Sequence, residues 1–208
     1  IEWTTDGWYR TKTTATPIRS DKQIKHGIEL SDDFSEASLG LQWTFWKEYA
    51  PKSLTLDNGT LWIKAKGSTP ANGRLLLTTA EDKNYETQVE INTGNGNTAG
   101  LILFYNEKAY AGVVSDGKKF IVYQNTNKQL ELPNELGKRF IAKIHNQGNN
   151  LRIMVSKDSK EWITLAEKVD VTQMHHNNYH GFYALRIGLL SAGKGAAGFK
   201  QFRYKNAI

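Results

Sequence analysis

From Ile28 onward, apolar and polar residues alternate with a period of two in short runs. The runs are broken by turn signals such as Asp57-Asn58-Gly59, Asp116-Gly117 and Gly148-Asn149-Asn150. This is the pattern of antiparallel strands with one buried face. Leu54–Leu56, the turn and Leu61–Ala65 predict a hairpin in which Leu61, Ile63 and Ala65 face a core and Trp62 points away. Further strands are predicted over 74–79, 85–91, 99–105, 110–115, 120–124, 140–145, 151–156, 162–166, 184–190 and 199–204. Gly100–Tyr105 and Ile187–Leu190 are apolar at every position, as in central strands covered on both sides, and stacking a second sheet is expected to supply that cover. No amphipathic helix is predicted; Asp170–His176 has room for one helical turn behind an Asp cap. The fold class is therefore all-β, a two-sheet antiparallel β-sandwich with very little helix.

The pattern changes before Ile28. Residues 1–9 begin with the aromatic stretch IEWTTDGW, and residues 10–27 (RTKTTATPIRSDKQIKHG) are polar and aperiodic. The expected organisation is a remnant of a preceding domain over 1–9, a linker over 10–27 and the sandwich over 28–208. The 208-residue length suits one sandwich. The absence of cysteine excludes disulfides and thiolate chemistry, and no run is long and apolar enough to span a membrane. The net charge is +6, but the basic residues are dispersed. The tightest pairs, Lys118-Lys119 and Lys138-Arg139, only open strands, so no nucleic-acid partner is expected.

Four segments, IELSDDFSEASLGLQWTFWKEY (28–49), AGLILFYNEKAYAGV (99–113), SKDSKEW (156–162) and RIGLLSAGKGAAGFKQFRY (186–204), follow one another in an order that resembles the C-terminal concanavalin A-like sandwich of glycoside hydrolase family 43. That family includes β-xylosidases and arabinofuranosidases. Ser159 stands where the resembled hairpin carries glycine, so a different turn is expected there. The leader IEWTTDGW resembles the last strand of the five-bladed propeller that precedes the sandwich in that family. The resemblance implies a non-catalytic accessory domain of a secreted or periplasmic enzyme acting on xylan- or arabinan-type polysaccharide. Its partners would be the catalytic propeller of the same polypeptide and an oligo- or polysaccharide. The catalytic carboxylates of the family lie in the propeller, so no residue here is assigned as catalytic.

Other readings follow from the residues themselves. Glu86, Gln88 and Glu90 fit the spacing of the acidic row on one strand face of a catalytic sandwich glycosidase, but the middle position is Gln88 rather than an acid. Alternate strand positions lie roughly 6.6 Å apart, so Glu86 and Glu90 are separated by about 13 Å at Cα, whereas retaining chemistry needs carboxyls about 5 to 5.5 Å apart. A solvated strand face opposite buried Tyr85, Thr87, Val89 and Ile91 is the favoured reading of the row. Trp43, Phe45, Trp46 and Tyr49 form an aromatic cluster. Trp43 and Phe45 share one face, and Trp46 and Tyr49 look outward or toward a missing partner, so Trp43, Trp46 and Tyr49 are candidates for sugar stacking or domain docking. His175, His176, Tyr179 and His180 crowd a loop that in the resembled family can reach the active-site mouth, and they are candidates for the same roles. No cofactor is required and zinc is not expected, since no carboxylate lies within that loop. Asp32 and Asp33 are candidates for a structural calcium ion, or for capping the turn at Phe34. A free-standing lectin-like carbohydrate-binding protein is the reading of a different class.

Overall fold

The computed structural model describes residues 2–10 and 28–206. Strands β1 (Glu2–Trp3) and β2 (Tyr9–Arg10) form a hairpin of their own, in which Trp3 and Tyr9 meet edge to face at 6.1 Å. Trp3, Trp8 and Tyr9 are exposed. Residues 11–27, most of the expected linker, lie outside the described residues.

The alternation after Ile28 closes into two sheets. The first holds, in spatial order, β11 (Asn127–Pro133), β10 (Lys119–Gln124), β9 (Ala109–Ser115), β8 (Asn97–Asn106), β15 (Arg186–Gly193), β6 (Arg74–Thr79) and β3 (Thr44–Phe45). The second holds β14 (Ile163–Asp170), β13 (Asn150–Ser156), β12 (Arg139–Gln147), β7 (Asn84–Asn92), β16 (Ala196–Asn206), β5 (Thr60–Lys64) and β4 (Leu54–Asp57). Every strand pair is antiparallel. The turn signals act as their residues dictate: Asn58 and Gly59 both take positive φ, as a two-residue hairpin loop requires. Leu61 and Ile63 face the core while Trp62 faces away.

The core between the sheets is made by one face of each strand, for example Tyr85, Val89 and Ile91 of β7 against Leu101 and Leu103 of β8. The cover over the other face of β8 and β15 differs from expectation. Only one sheet can stack on each face, so the second sheet covers the inward face alone. On the outward face Leu77, Leu190, Ile102, Phe104, Val114 and Tyr110 pack side by side, with Trp46 and Ala71 laid against them. Gly100 and Gly188 leave room for this crowding: a Cβ at Gly100 would lie 2.1 Å from the Val113 carbonyl oxygen.

Three expectations need correction. The helical turn, α1 (His176–Tyr179), starts later than Asp170 and is capped by His175, whose ring accepts from the Asn177 amide. The Asp170 carboxylate caps Thr172 instead. Strand β11 is polar and exposed and was not anticipated. Ser159 takes φ 65°, the left-handed backbone a glycine adopts freely, so serine is held in a glycine-like turn.

Candidate functional site

Strand β3 places Trp43 and Trp46 on opposite sides of the first sheet. Trp43 is 8% exposed and sits between Phe34 at 5.9 Å and Phe202 at 5.0 Å. It is a core residue and has no face to offer a ligand, which corrects its candidacy. Its indole N–H donates to Asp32 Oδ2 at 2.8 Å, and the other Asp32 oxygen accepts from the Phe34 amide. Gln42 also donates to Oδ2. Asp33 accepts from Ser35, whose hydrogen bonds hold its carboxyl below the ordinary value. The two acids therefore cap the turn. Among the described residues no cluster of three or more His, Cys, Asp or Glu side chains could hold a metal ion.

Trp46 is the hub of one end of the sandwich. Phe104 and Tyr183 meet its ring edge-on at 5.1 Å each. The Arg186 guanidinium lies 5.0 Å from its centroid and Lys47 Nζ 5.4 Å. Its N–H donates to Glu107 Oε1 at 2.8 Å, which also takes Lys47 at 2.6 Å. Burial raises the Glu107 carboxyl, but the Lys47 and Trp46 hydrogen bonds outweigh it, and the net shift is downward. Arg186 has no such counterpart. Its Nε and Nη2 are buried and find no acceptor among the described residues, and burial lowers its pKa against the opposing effect of Tyr183.

The loop carrying His175, His176, Tyr179 and His180 sits beside this hub. Buried Tyr105, on β8, sends its hydroxyl to the carbonyls of Gly181 (2.6 Å) and His180 (3.1 Å), and Asn106 donates to the Tyr179 carbonyl. His180 and Gly181 both take positive φ, which swings the chain outward and leaves Phe182 93% exposed. The His176 ring stacks on Phe182 at 5.1 Å. Tyr179 packs against the core, and His175 is committed to the helix cap, so of the four predicted loop residues His176 and His180 present exposed side chains. Tyr49 is exposed and meets Phe45 edge-on. Phe182 and Tyr183 close the same histidine- and aromatic-rich segment, 174–183, that the sequence marks, whereas Arg186 carries no sequence signal of its own.

The acidic row lies on the outward face of β7. Glu86 Oε1 is 3.3 Å from both Lys143 and Lys205. Burial raises its carboxyl, and the two ammonium groups more than offset this, so it stays ionised below the ordinary range. That is the setting of a structural ion pair.

A family model described as the β-xylosidase C-terminal concanavalin A-like domain matches residues 31–205. Among solved structures, a family 43 protein of Bacillus licheniformis, BlXynB, superposes with TM-score 0.77 at 20% identity, over 99% of this chain and 46% of that one. A xylan β-1,4-xylosidase from Bacillus halodurans C-125 gives TM-score 0.73 at 18% identity, with the same coverage. The carbohydrate-binding module CBM66 of Bacillus subtilis gives TM-score 0.53 at 17% identity, over 79% of this chain and 96% of the module. The chain thus spans less than half the length of the two enzymes. A comparison with curated proteins found no match.

Proposed function

The chain belongs to the family of β-xylosidase C-terminal concanavalin A-like domains, and from that premise we propose that it is the non-catalytic accessory domain of a family 43 glycoside hydrolase directed at xylan- or arabinan-type polysaccharide. We assign its docking surface for the catalytic propeller to the end of the sandwich built on Trp46, Arg186 and the loop 175–184. The parent enzyme is read as secreted or periplasmic.

The observation that carries this reading is Arg186. A buried guanidinium that leaves two N–H groups without acceptors costs about 1–3 kcal/mol for each unsatisfied group. Trp46 and Tyr183 lie against these atoms, so docking shifts that cover and brings a carboxylate or carbonyl pair of the second domain onto the guanidinium, which removes the cost; Arg is suited to this because its planar fork takes two acceptors at once. The exposed Phe182 at the same end supplies apolar area for such a contact. Catalysis by the sandwich itself has no comparable support, since Glu86 is held ionised by two lysines.

The test assays the 208-residue chain on p-nitrophenyl β-xyloside and α-arabinofuranoside, then titrates it into a separately expressed family 43 propeller. The expected result is no turnover alone and a saturable complex weakened tenfold or more by Arg186→Met. Turnover by the chain alone, or a complex indifferent to Arg186→Met, overturns the reading.

A further inference from the structure

The outward face of the second sheet carries a different feature, an open cleft of about 670 Å³. Strands β5, β16, β7 and β12 lie side by side beneath it, and their register sets two rows of side chains across it. Trp62 stands opposite Gly198, Gly198 opposite Asn92, and Asn92 opposite Arg139. In the next row Lys200 stands opposite Glu90 and Glu90 opposite Ile141. With strands about 4.8 Å apart, Trp62 and Arg139 face each other across about 14 Å, room for a short oligosaccharide rather than a single ring. The β13–β14 turn, Lys157 to Ser159, closes one side.

Gly198 makes the cleft. A Cβ there would lie 3.0 Å from Trp62 Cζ3 and 3.1 Å from Cη2, so the indole leans across β16 over the one position in the row with no side chain. Trp62 also differs from the other tryptophans of the sandwich. Trp43 donates its N–H to Asp32, Trp46 to Glu107 and Trp162 to the Ser159 carbonyl, and Trp162 also holds Lys143 over its ring. Among the described residues Trp62 has neither an N–H acceptor nor an aromatic or cationic partner, although its ring is half exposed. Of the polar groups around it, Lys157 and Asp158 are committed to backbone partners, and three others are not. Glu86, in the same strand, is paired twice, whereas the exposed side chains of Glu90, Arg139 and Lys200 make no ion pair or hydrogen bond among the described residues.

We propose that this cleft is a carbohydrate-binding site separate from the docking end, taking a short glycan with one sugar ring stacked on Trp62 and its hydroxyls bonded by Glu90, Arg139 and Lys200. The mixed signs favour this ligand class. A hydroxyl both donates and accepts, so it serves the carboxylate and the two cations alike, whereas a phosphate group would meet Glu90 and Asp158 as like charges. A half-exposed indole with a free N–H beside planar polar side chains is suited to a ring with one apolar face and a hydroxylated rim. Only the choice of probe rests on the family reading; the site rests on the cleft.

The experiment titrates xylohexaose, and in a second arm linear arabinohexaose, into the ¹⁵N-labelled chain, following the indole N–H resonances. The expected result is saturable movement of the Trp62 signal by at least one probe, with affinity reduced about tenfold or more by Trp62→Ala and severalfold by Arg139→Ala or Glu90→Gln. The last two replace exposed side chains and keep the test valid if Trp62→Ala does not fold. Phe182→Ala should leave the binding unchanged. Absence of saturation by both probes, affinity indifferent to the cleft variants, or loss of binding in Phe182→Ala each overturns the proposal. None of these results bears on whether Arg186 docks a propeller.

Discussion

Replacing Tyr105 with phenylalanine isolates the bond that ties the loop 175–184 to the sheet. The Tyr105 ring is almost fully buried in the core, and phenylalanine keeps its volume and its edge contact with Tyr183 at 5.8 Å. Only the hydroxyl is lost. It faces two carbonyls, Gly181 at 2.6 Å and His180 at 3.1 Å, but it has one proton, so one hydrogen bond disappears rather than two. Both residues lie in a surface loop, and the freed carbonyl is expected to turn to water as that loop relaxes, so the penalty for an unsatisfied buried acceptor does not apply. The expected loss is therefore that of one net hydrogen bond, about 1 kcal/mol. With a urea slope of about 2 kcal/mol/M, the midpoint falls by about 0.5 M. Hydrogen exchange should show the loop amides losing protection well beyond that global change, because among the described residues Asn106 then supplies the remaining side-chain hydrogen bond from β8 to the loop. An unchanged midpoint and unchanged loop exchange would refute the anchoring role. A loss of about 3 kcal/mol or more would show that the loop is part of the cooperative core, not a tethered extension of it.

Gly100→Ala should destabilise the chain by about 3 kcal/mol or more, read by urea unfolding, because the new methyl group meets the β9 backbone at Val113 and Val114. Ser159→Gly should raise stability by roughly 0.5–1 kcal/mol, the left-handed strain relieved less the added flexibility of the unfolded chain. Glu86→Gln tests the sign of its pKa shift: a carboxyl depressed in the folded state contributes stability above its ordinary value of 4.5 and loses it as pH falls through the lower folded value. The stability gap between wild type and Glu86→Gln, followed by thermal melts from pH 7 to pH 3, should therefore be widest at neutral pH and narrow in acid.

Much of the sandwich was legible because burial imposes its own period. β7 alternates buried and half-exposed positions along most of its length, and its sequence shows the same alternation. β11 was invisible because an edge strand that buries little needs no apolar pattern; its residues Asn127 to Glu131 are exposed, Leu132 alone leans on the core, and backbone pairing with β10 largely defines it. The aromatic cluster was located correctly, but its division was not, since sequence spacing sorts Trp43 from Trp46 by face without saying which face is covered. The uncommitted state of Trp62 was also hidden. It depends on Gly198, 136 positions away in the chain, and on acceptors that three other tryptophans have and Trp62 lacks.

The layer of Ile102, Phe104 and Leu190 outside the first sheet has a mechanical consequence. A ribbon greased on both sides and wet on neither cannot ripple without opening the whole body, so its central strands behave as a stiff beam, while the charged side of the companion sheet is free to breathe. β8 belongs to that beam, and its far end grips the carbonyls that aim Phe182. Whatever Phe182 touches is therefore met by a fingertip whose base is hydrogen-bonded to that doubly covered strand.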